Sequence, residues 1–182
     1  NYWLGGTGTQ SISVTQTGTA TVISTTNSTN NRWVNIAGYD QLYYATGSSS
    51  IGIYAVGTGL PTSSTTSRRL FTNNASNTNP IGFAVSPDTF TVYVTDGNNG
   101  IFRYTYSGGA WSGGTAISGA GGTLGIVVDW SGYSFNASSP NGAVIYAIKG
   151  TGATDSLVKA SDNGTSALST TTLRKSGAAE IF

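Results

Sequence analysis

Residues 85–109, VSPDTFTVYVTDGNNGIFRYTYSGG, contain two short runs of alternating apolar and polar residues with a glycine-containing turn between them. Alternation with a period of two over four to eight residues is typical of a β-strand that buries one face. The turn contains Asn99 and Gly100, a pair that tight hairpins favour because glycine adopts positive φ without steric cost. The stretch therefore predicts a β-hairpin.

Similar hairpin patterns recur along the chain, each beginning with a tyrosine in an apolar run. The anchoring residues are Tyr2, Tyr43, Tyr93 and Tyr146. They lie at intervals of about 40 to 50 residues, a period typical of propeller blades or helical arrays. The two-residue alternation excludes helical arrays. Another apolar run precedes each of the last three anchors, and a further short run follows each of these three hairpins, so a complete unit has four strands.

Four antiparallel strands per repeat are typical of a β-propeller blade. The sequence thus predicts an all-β chain forming one propeller or partial propeller of about four blades. The expected blades are residues 1–32, 33–80, 81–123 and 124–182, and the first is incomplete because it lacks its innermost strand.

Part of the third unit, AVSPDTFTVYVTDGNNGIFRY, resembles the blade signature of YVTN and NHL propeller repeats. The repeated four-strand arrangement resembles these propellers along the whole chain, whereas the sequence motif itself matches over only about 20 residues. It implies a secreted propeller, rich in Ser and Thr, of a group without known activity. The matching residues are Val85, Ser86, Pro87, Asp88, Val92, Tyr93, Val94, Thr95 and Asp96.

The ends of the chain leave two possibilities for the ring. Residues 178–182, AAEIF, could supply the missing inner strand and close a ring of four blades. Alternatively, the chain is half of a larger propeller, which is the interpretation that we favour, because four blades is the smallest usual number. An open half would expose apolar faces, so we expect a protein partner or self-association to complete the ring.

The composition excludes several kinds of chemistry. The chain contains no Cys, His or Met, so it has no Ser-His-Asp or Cys-His nucleophile and no zinc site built from Cys and His. The lack of Met leads us to expect that the translation start is missing. The chain has no motif for a cofactor, and the loop at residues 96–100 lacks the ligand order of a calcium site. We therefore expect neither cofactor nor metal.

The charge and hydropathy of the chain favour an extracellular protein. Only 8% of residues are charged, and the formal net charge is +1. Without a clustered basic face we expect no binding to nucleic acid. No apolar run is long enough to span a membrane. Abundant Ser, Thr and Asn on a β framework predict a secreted protein.

Two aspartates are candidate ligand-binding residues. Asp88 and Asp129, like Asp40, follow predicted inner strands and could converge near the axis of a ring. A glycosidase needs two facing carboxylates. We favour the simpler interpretation, in which each aspartate orders its own turn by accepting backbone N–H bonds.

Two tryptophans beside glycine-containing turns, Trp111 and Trp130, are also candidates. If exposed, they could stack on sugar rings. The alternative, which we favour, is that they pack between neighbouring blades. We interpret Arg68 and Arg69 as charges on an edge strand that prevent sheet-to-sheet pairing.

Four sequons are candidates for N-glycosylation, and all fall in segments that we predict to be loops or turns. Their asparagines are Asn27, Asn74, Asn136 and Asn163.

The function that we favour from the sequence is a secreted, non-enzymatic module that binds a glycan or a protein, or that assembles with copies of itself. The alternative is a carbohydrate-active propeller enzyme that uses the turn aspartates. Fold alone does not distinguish them, since propellers host many functions.

Overall fold

A computed structural model describes residues 2–5, 12–15, 19–25, 30–47, 50–71, 78–117, 121–136, 139–150, 154–165 and 168–175. Within these ranges the chain is all-β and contains no helix. The strands are β1 (Tyr2–Gly5), β2 (Ile12–Thr15), β3 (Thr21–Ser24), β4 (Asn31–Ala37), β5 (Gln41–Thr46), β6 (Gly52–Val56), β7 (Ser67–Arg69), β8 (Pro80–Val85), β9 (Thr91–Asp96), β10 (Gly100–Ser107), β11 (Ala110–Trp111), β12 (Thr115–Ala116), β13 (Thr123–Asp129), β14 (Ser134–Asn136), β15 (Ser139–Asn141), β16 (Val144–Lys149), β17 (Ser156–Ser161) and β18 (Thr170–Lys175).

Apart from β14 and β15, which pair only with each other, the strands form four antiparallel sheets that follow one another along the chain. The first sheet has the order β1-β2-β3, and the second has the order β4-β5-β6-β7. The third sheet runs β8-β9-β10, and both β11 and β12 pair with β10 at its outer edge. The fourth sheet has the order β13-β16-β17-β18. The second, third and fourth sheets begin one or two residues before the boundaries predicted at residues 33, 81 and 124.

Strand register divides the second sheet into two faces. Tyr43 is paired with Ala55, and Ala55 with Arg68, so these three residues share one face. Tyr44, Tyr54 and Arg69 form the adjacent row on the opposite face. Both faces carry buried aromatic rings, which is why β5 and β6 are buried along most of their length.

Three apolar cores lie between successive sheets. Tyr44 and Tyr54 stack with centroids 5.2 Å apart in the core between the first and second sheets. Tyr43 packs edge-on against Phe83 in the core between the second and third. Tyr93 belongs to the core between the third and fourth. The second and third sheets therefore bury both of their faces. For this reason their strands do not show a simple alternation of apolar and polar residues.

The first strands of neighbouring sheets lie close together at one edge of this stack. β8 contacts both β4 and β13, and β4 also contacts β1. Gly82 in β8 favours this approach, since a Cβ there would lie 3.4 Å from Ile126 Cγ2 of β13 and a tight 3.2 Å from Thr95 Oγ1 of the adjacent β9. The close packing brings three strands of different sheets to a common surface.

The hairpin predicted from residues 85–109 is confirmed. β9 and β10 pair, and the turn between them ends at Gly100, whose φ is 95°. Oδ1 of the buried Asp96 accepts hydrogen bonds from the backbone N–H groups of Asn98 and Asn99 at 2.8 and 2.9 Å. Asp96 therefore orders a turn. In the described part of the chain, no group of three or more metal-binding side chains is found.

One element is absent from the sequence-based prediction. Residues 130–143 are rich in Ser, Asn and Gly, but β14 and β15 form a small hairpin within them. Phe135 in β14 packs against Phe90 of the third sheet with a centroid separation of 5.4 Å. This contact with another sheet holds the segment in place, and it is not apparent from local composition. Nowhere in the described ranges is there a helix that could cross a membrane.

Candidate functional site

An aromatic cleft lies where the core between the second and third sheets opens to solvent. Its volume is about 420 Å³. Tyr106 and Trp111 come from paired positions of β10 and β11, so they share the face of the third sheet that looks toward the second. Phe90 comes from the turn between β8 and β9 and is 41% exposed. The walls are completed by Tyr43, Arg68, Leu70 and Thr89.

The aromatic rings form a continuous row. Trp111 lies 5.4 Å from Tyr106, and Tyr106 lies 6.2 Å from Phe90, with ring centroids as the reference points. Phe90 continues the row to Phe135 of the β14–β15 hairpin. At the other end, Trp111 packs at 5.2 Å against the buried Phe71. The row is therefore anchored in the core and extends onto the surface of the third sheet and the hairpin.

The cleft has a positive charge at its edge. Arg68 is exposed on the outermost strand of the second sheet, on the same face as Tyr43. Burial raises the pKa of the Tyr43 hydroxyl, and the positive charge of Arg68 partly offsets that rise. The prediction of an exposed edge strand at Arg68 and Arg69 is confirmed. The sequence did not indicate that one of these residues also lines a cleft.

Thr89 occupies an unusual backbone conformation beside the cleft. Its φ is 63°, which is rare for a β-branched residue. Its Cγ2 atom lies against Gly38 in the turn between β4 and β5, where a Cβ would approach it to 2.2 Å. Backbone strain of this kind clusters at binding and catalytic sites. The turn that carries Thr89 and Phe90 is thus held by both sheets.

Asp88 orders this turn. Its Oδ1 accepts hydrogen bonds from Ser86 Oγ at 2.6 Å and from the Phe90 N–H at 3.0 Å. Tyr133, in the segment between β13 and β14, donates a third, longer bond of 3.2 Å to the same oxygen and lies 2.9 Å from Thr91 Oγ1. The bonds from Ser86 and Phe90 are those expected if Asp88 acts within its own turn, and the bond from Tyr133 also attaches that turn to the segment that follows β13.

Asp129 is the exposed last residue of β13 and precedes a separate turn. Its Oδ1 accepts the backbone N–H of Ser131 at 2.9 Å. Hydrogen bonds from Ser131 hold the pKa of the Asp129 carboxyl below its usual value, with a smaller contribution from Lys159. Asp129 is therefore ionised at neutral pH, which suits a turn residue. A general acid needs a raised pKa instead.

The two candidate tryptophans lie on opposite faces of the third sheet. Trp111 belongs to the aromatic cleft, which faces the second sheet. Trp130 stacks on Tyr93 at 5.5 Å and meets Tyr133 edge-on at 5.1 Å, on the side of the fourth sheet. Trp130 is thus brought near Asp88 through Tyr133, whereas Trp111 and Trp130 do not form one site.

A second cleft is lined by the first strands of three sheets, and we call it the inner-strand cleft. Its volume is about 610 Å³, and its lining includes residues of β4, β8 and β13. Trp33 and Trp130 lie in its walls. Apolar side chains are exposed there, including Ile36 at 42% and Val127 at 69%. None of the described residues in its lining is charged.

Sequence reasoning missed a buried polar network between the third and fourth sheets. Arg103 Nη1 donates to Asp162 Oδ1 at 2.6 Å, and Tyr93 donates to Asp162 Oδ2 at 2.6 Å. Burial, and then the charge of Asp162, raise the pKa of the Tyr93 hydroxyl. One signal was available, since Arg103 interrupts the apolar run IFRYTY at residues 101–106. Its partner, however, lies 59 residues away.

The glycosylation candidates have different outcomes. Asn27 and Asn74 lie outside the described residues. Asn163 is exposed in the segment between β17 and β18, as expected for a loop. The prediction of a loop is wrong for Asn136, which ends β14, because the Phe135 contact with Phe90 draws this segment into a hairpin.

No protein-family model matches this chain, and neither a curated protein nor a solved structure is significantly similar to it. The assignment of function therefore depends on the geometry of the chain itself.

Proposed function

We propose that the chain is a β-propeller, or part of one, of the kind that the YVTN and NHL resemblance implies. Two features support this architecture. Sheets of three to five antiparallel strands succeed one another along the chain and pack face to face. In addition, β8 lies against the first strands of both neighbouring sheets, as blades around an axis require.

The same proposal includes a second copy of the chain, which covers the inner-strand cleft. Exposed apolar residues such as Ile36 and Val127 favour a covered surface. The described lining of this cleft carries no charged residue, so it is suited to an uncharged, apolar surface. The same cleft on a second copy of the chain offers a surface of that kind. Two-fold dimers are also the commonest assemblies. Light scattering after gel filtration should give twice 18.6 kDa. Val127→Lys should give a monomer, and a monomeric native chain would overturn this part of the proposal.

We further propose that the chain is a secreted, non-enzymatic module that binds a glycan in the aromatic cleft. The observation that carries this proposal is the row of aromatic rings that leaves the core and reaches solvent at Trp111, Tyr106 and Phe90. The electron-rich faces of such rings attract the polarised C–H groups of a sugar. The cleft volume is also within the usual range for small-molecule sites.

Hydrogen bonding of the aspartates supports binding over catalysis. Asp88 and Asp129 each accept a backbone N–H two residues along, so each has a sufficient structural role. Replacing Asp88 by Asn should lower stability, and neither wild type nor the variant should release sugar from a glycan. Sugar release by wild type that Asp88→Asn loses with its fold intact would favour the carbohydrate-active enzyme.

A glycan array on the purified chain tests the binding proposal. We expect wild type to bind a defined subset of glycans and Trp111→Ala to lose that binding. Phe90→Ala, at the exposed rim, is a second variant that should weaken binding with less effect on folding. Tyr146→Ala is the matched control, since Tyr146 is a half-buried aromatic residue of β16 that lines neither the aromatic cleft nor the inner-strand cleft. Absence of binding to any glycan, or equal losses in the Trp111 and Tyr146 variants, would overturn the proposal.

A further inference from the structure

Among the described residues, no carboxylate is found in an ion pair with Arg68 at the aromatic cleft. None of the described residues that line the cleft is Asp or Glu. Asp88 is close in sequence to Thr89, but its Oδ1 accepts bonds from Ser86, Phe90 and Tyr133.

A single ligand in the cleft can contact both the guanidinium group of Arg68 and the row of aromatic rings. Register places Arg68 on the face of the second sheet that looks toward the third, and Trp111 and Tyr106 approach from the opposite wall. A guanidinium group binds carboxylates and tetrahedral oxyanions such as phosphate through two parallel N–H bonds. A ligand that fits both walls therefore has an apolar ring face next to a negative group.

We propose that the aromatic cleft binds an acidic saccharide, meaning a sugar with a carboxylate or sulfate group. The sugar ring packs on Trp111 and Tyr106, and the anionic group pairs with Arg68. Further sugars of a longer chain lie along the row toward Phe90 and Phe135. This inference rests on the proposed glycan-binding function and adds the charge class of the ligand.

An acidic peptide is less suited to the cleft. A peptide gains much of its affinity from strand addition at a free sheet edge. The third sheet offers little such edge here, because β10 already pairs with β11 and β12. The aromatic rings of Trp111, Tyr106 and Phe90 line the cleft, which favours a ring-shaped ligand.

The neighbouring arginine provides a matched control. Arg69 lies on the same strand and is also exposed, but it belongs to the opposite face, in the row with Tyr54. It approaches Gly52 and donates to the carbonyl of Ile51 at 3.4 Å. Arg68→Gln and Arg69→Gln remove the same charge from the same strand, yet only the first change alters the cleft.

The experiment measures binding by calorimetry with the full chain. The probes are an oligomer of galacturonic acid, its uncharged methyl ester, and a short poly-glutamate peptide. A glycan array with neutral, carboxylated and sulfated sugars complements them. We expect enrichment of the acidic sugars and weakening of their binding by roughly tenfold to a hundredfold in Arg68→Gln, the usual value of a charged hydrogen bond. Arg69→Gln should bind like wild type.

The outcomes separate this inference from the function on which it rests. Binding of neutral sugars alone, or equal affinity for the acid and its methyl ester, would overturn the inference but leave glycan binding intact. Equal effects of the two arginine substitutions would also overturn it, because a general charge effect would then explain them. Tighter binding of poly-glutamate than of every acidic sugar would favour a peptide ligand instead. Absence of binding to all sugars would overturn the proposed function itself.

Discussion

Replacement of Asp162 by Ala tests how the third and fourth sheets are held together. The Asp162 side chain is completely buried, and that of Arg103 is 9% exposed. Asp162 accepts bonds from Arg103, from Tyr93 and from the backbone N–H of Gly164. The substitution removes all three and leaves a guanidinium group buried between two sheets without a counter-charge.

The expected loss of stability follows from this burial. Removing one partner of a buried ion pair costs about 3–5 kcal/mol, because the other charge remains desolvated. The carbonyl of Gly164 accepts a bond from Arg103 at 3.3 Å and compensates only in part. We therefore expect a loss of about 4 kcal/mol, a large share of the roughly 5–15 kcal/mol by which a domain is stable.

Urea denaturation measures this loss. Tryptophan fluorescence is a suitable probe, since Trp130 stacks on Tyr93 within the same interface. With a slope of about 2 kcal/mol/M, the midpoint should fall by about 2 M urea. Asp129→Ala is the control, because that carboxylate is exposed, and its midpoint should change far less.

Two measurements test whether Arg103 and Asp162 behave as a buried, coupled ion pair. A loss below about 1 kcal/mol for Asp162→Ala would refute the reasoning, since the pair would then behave like a screened surface ion pair. The double variant Arg103→Met with Asp162→Ala should regain part of the loss, because no buried charge remains. The single variant Arg103→Met completes the comparison. If the losses of unfolding free energy in Arg103→Met and Asp162→Ala simply added up in the double variant, the two side chains would not be coupled.

Three further predictions concern packing and pH. Burial raises the pKa of Tyr44 from 10.0 to about 12, so the folded state should lose stability as pH rises from about 10 to 12. Alkaline denaturation followed by phenolate absorbance should show this, and Tyr44→Phe should make the loss less steep. Gly122→Ala should cost about 1–3 kcal/mol or more, because its Cβ would lie 2.2 Å from the carbonyl oxygen of Gly97. Gly113→Ala, which meets nothing within 4 Å, should leave the denaturation midpoint nearly unchanged. Tyr133→Phe removes the hydroxyl bonds to the third sheet and should lower the thermal midpoint by the equivalent of about 0.5–1.5 kcal/mol, and an unchanged midpoint would contradict those bonds.

Local pattern accounts for much of the fold. The alternation on each side of Asn99-Gly100 predicts β9, β10 and their turn, because the two-residue period and the conformational freedom of glycine are properties of a short segment. The positions of Asp88 and Asp129 just after apolar runs likewise predict carboxylates that accept nearby backbone N–H groups. The same local information fails at β14–β15, where a distant contact with Phe90 decides the structure.

The candidate site depends on relations that no short segment contains. The sequence identified Trp111 and Trp130 as candidates and Arg68 as an edge charge, and each identification needed only neighbouring residues. Strand register then placed Arg68 and Arg69 on opposite faces, and sheet packing placed the two tryptophans on opposite sides of one sheet. The cleft forms between surfaces that lie far apart along the chain, so its lining and its charge are decided by tertiary packing. Strands and turns such as β9, β10 and the turn between them follow instead from the local order of residues.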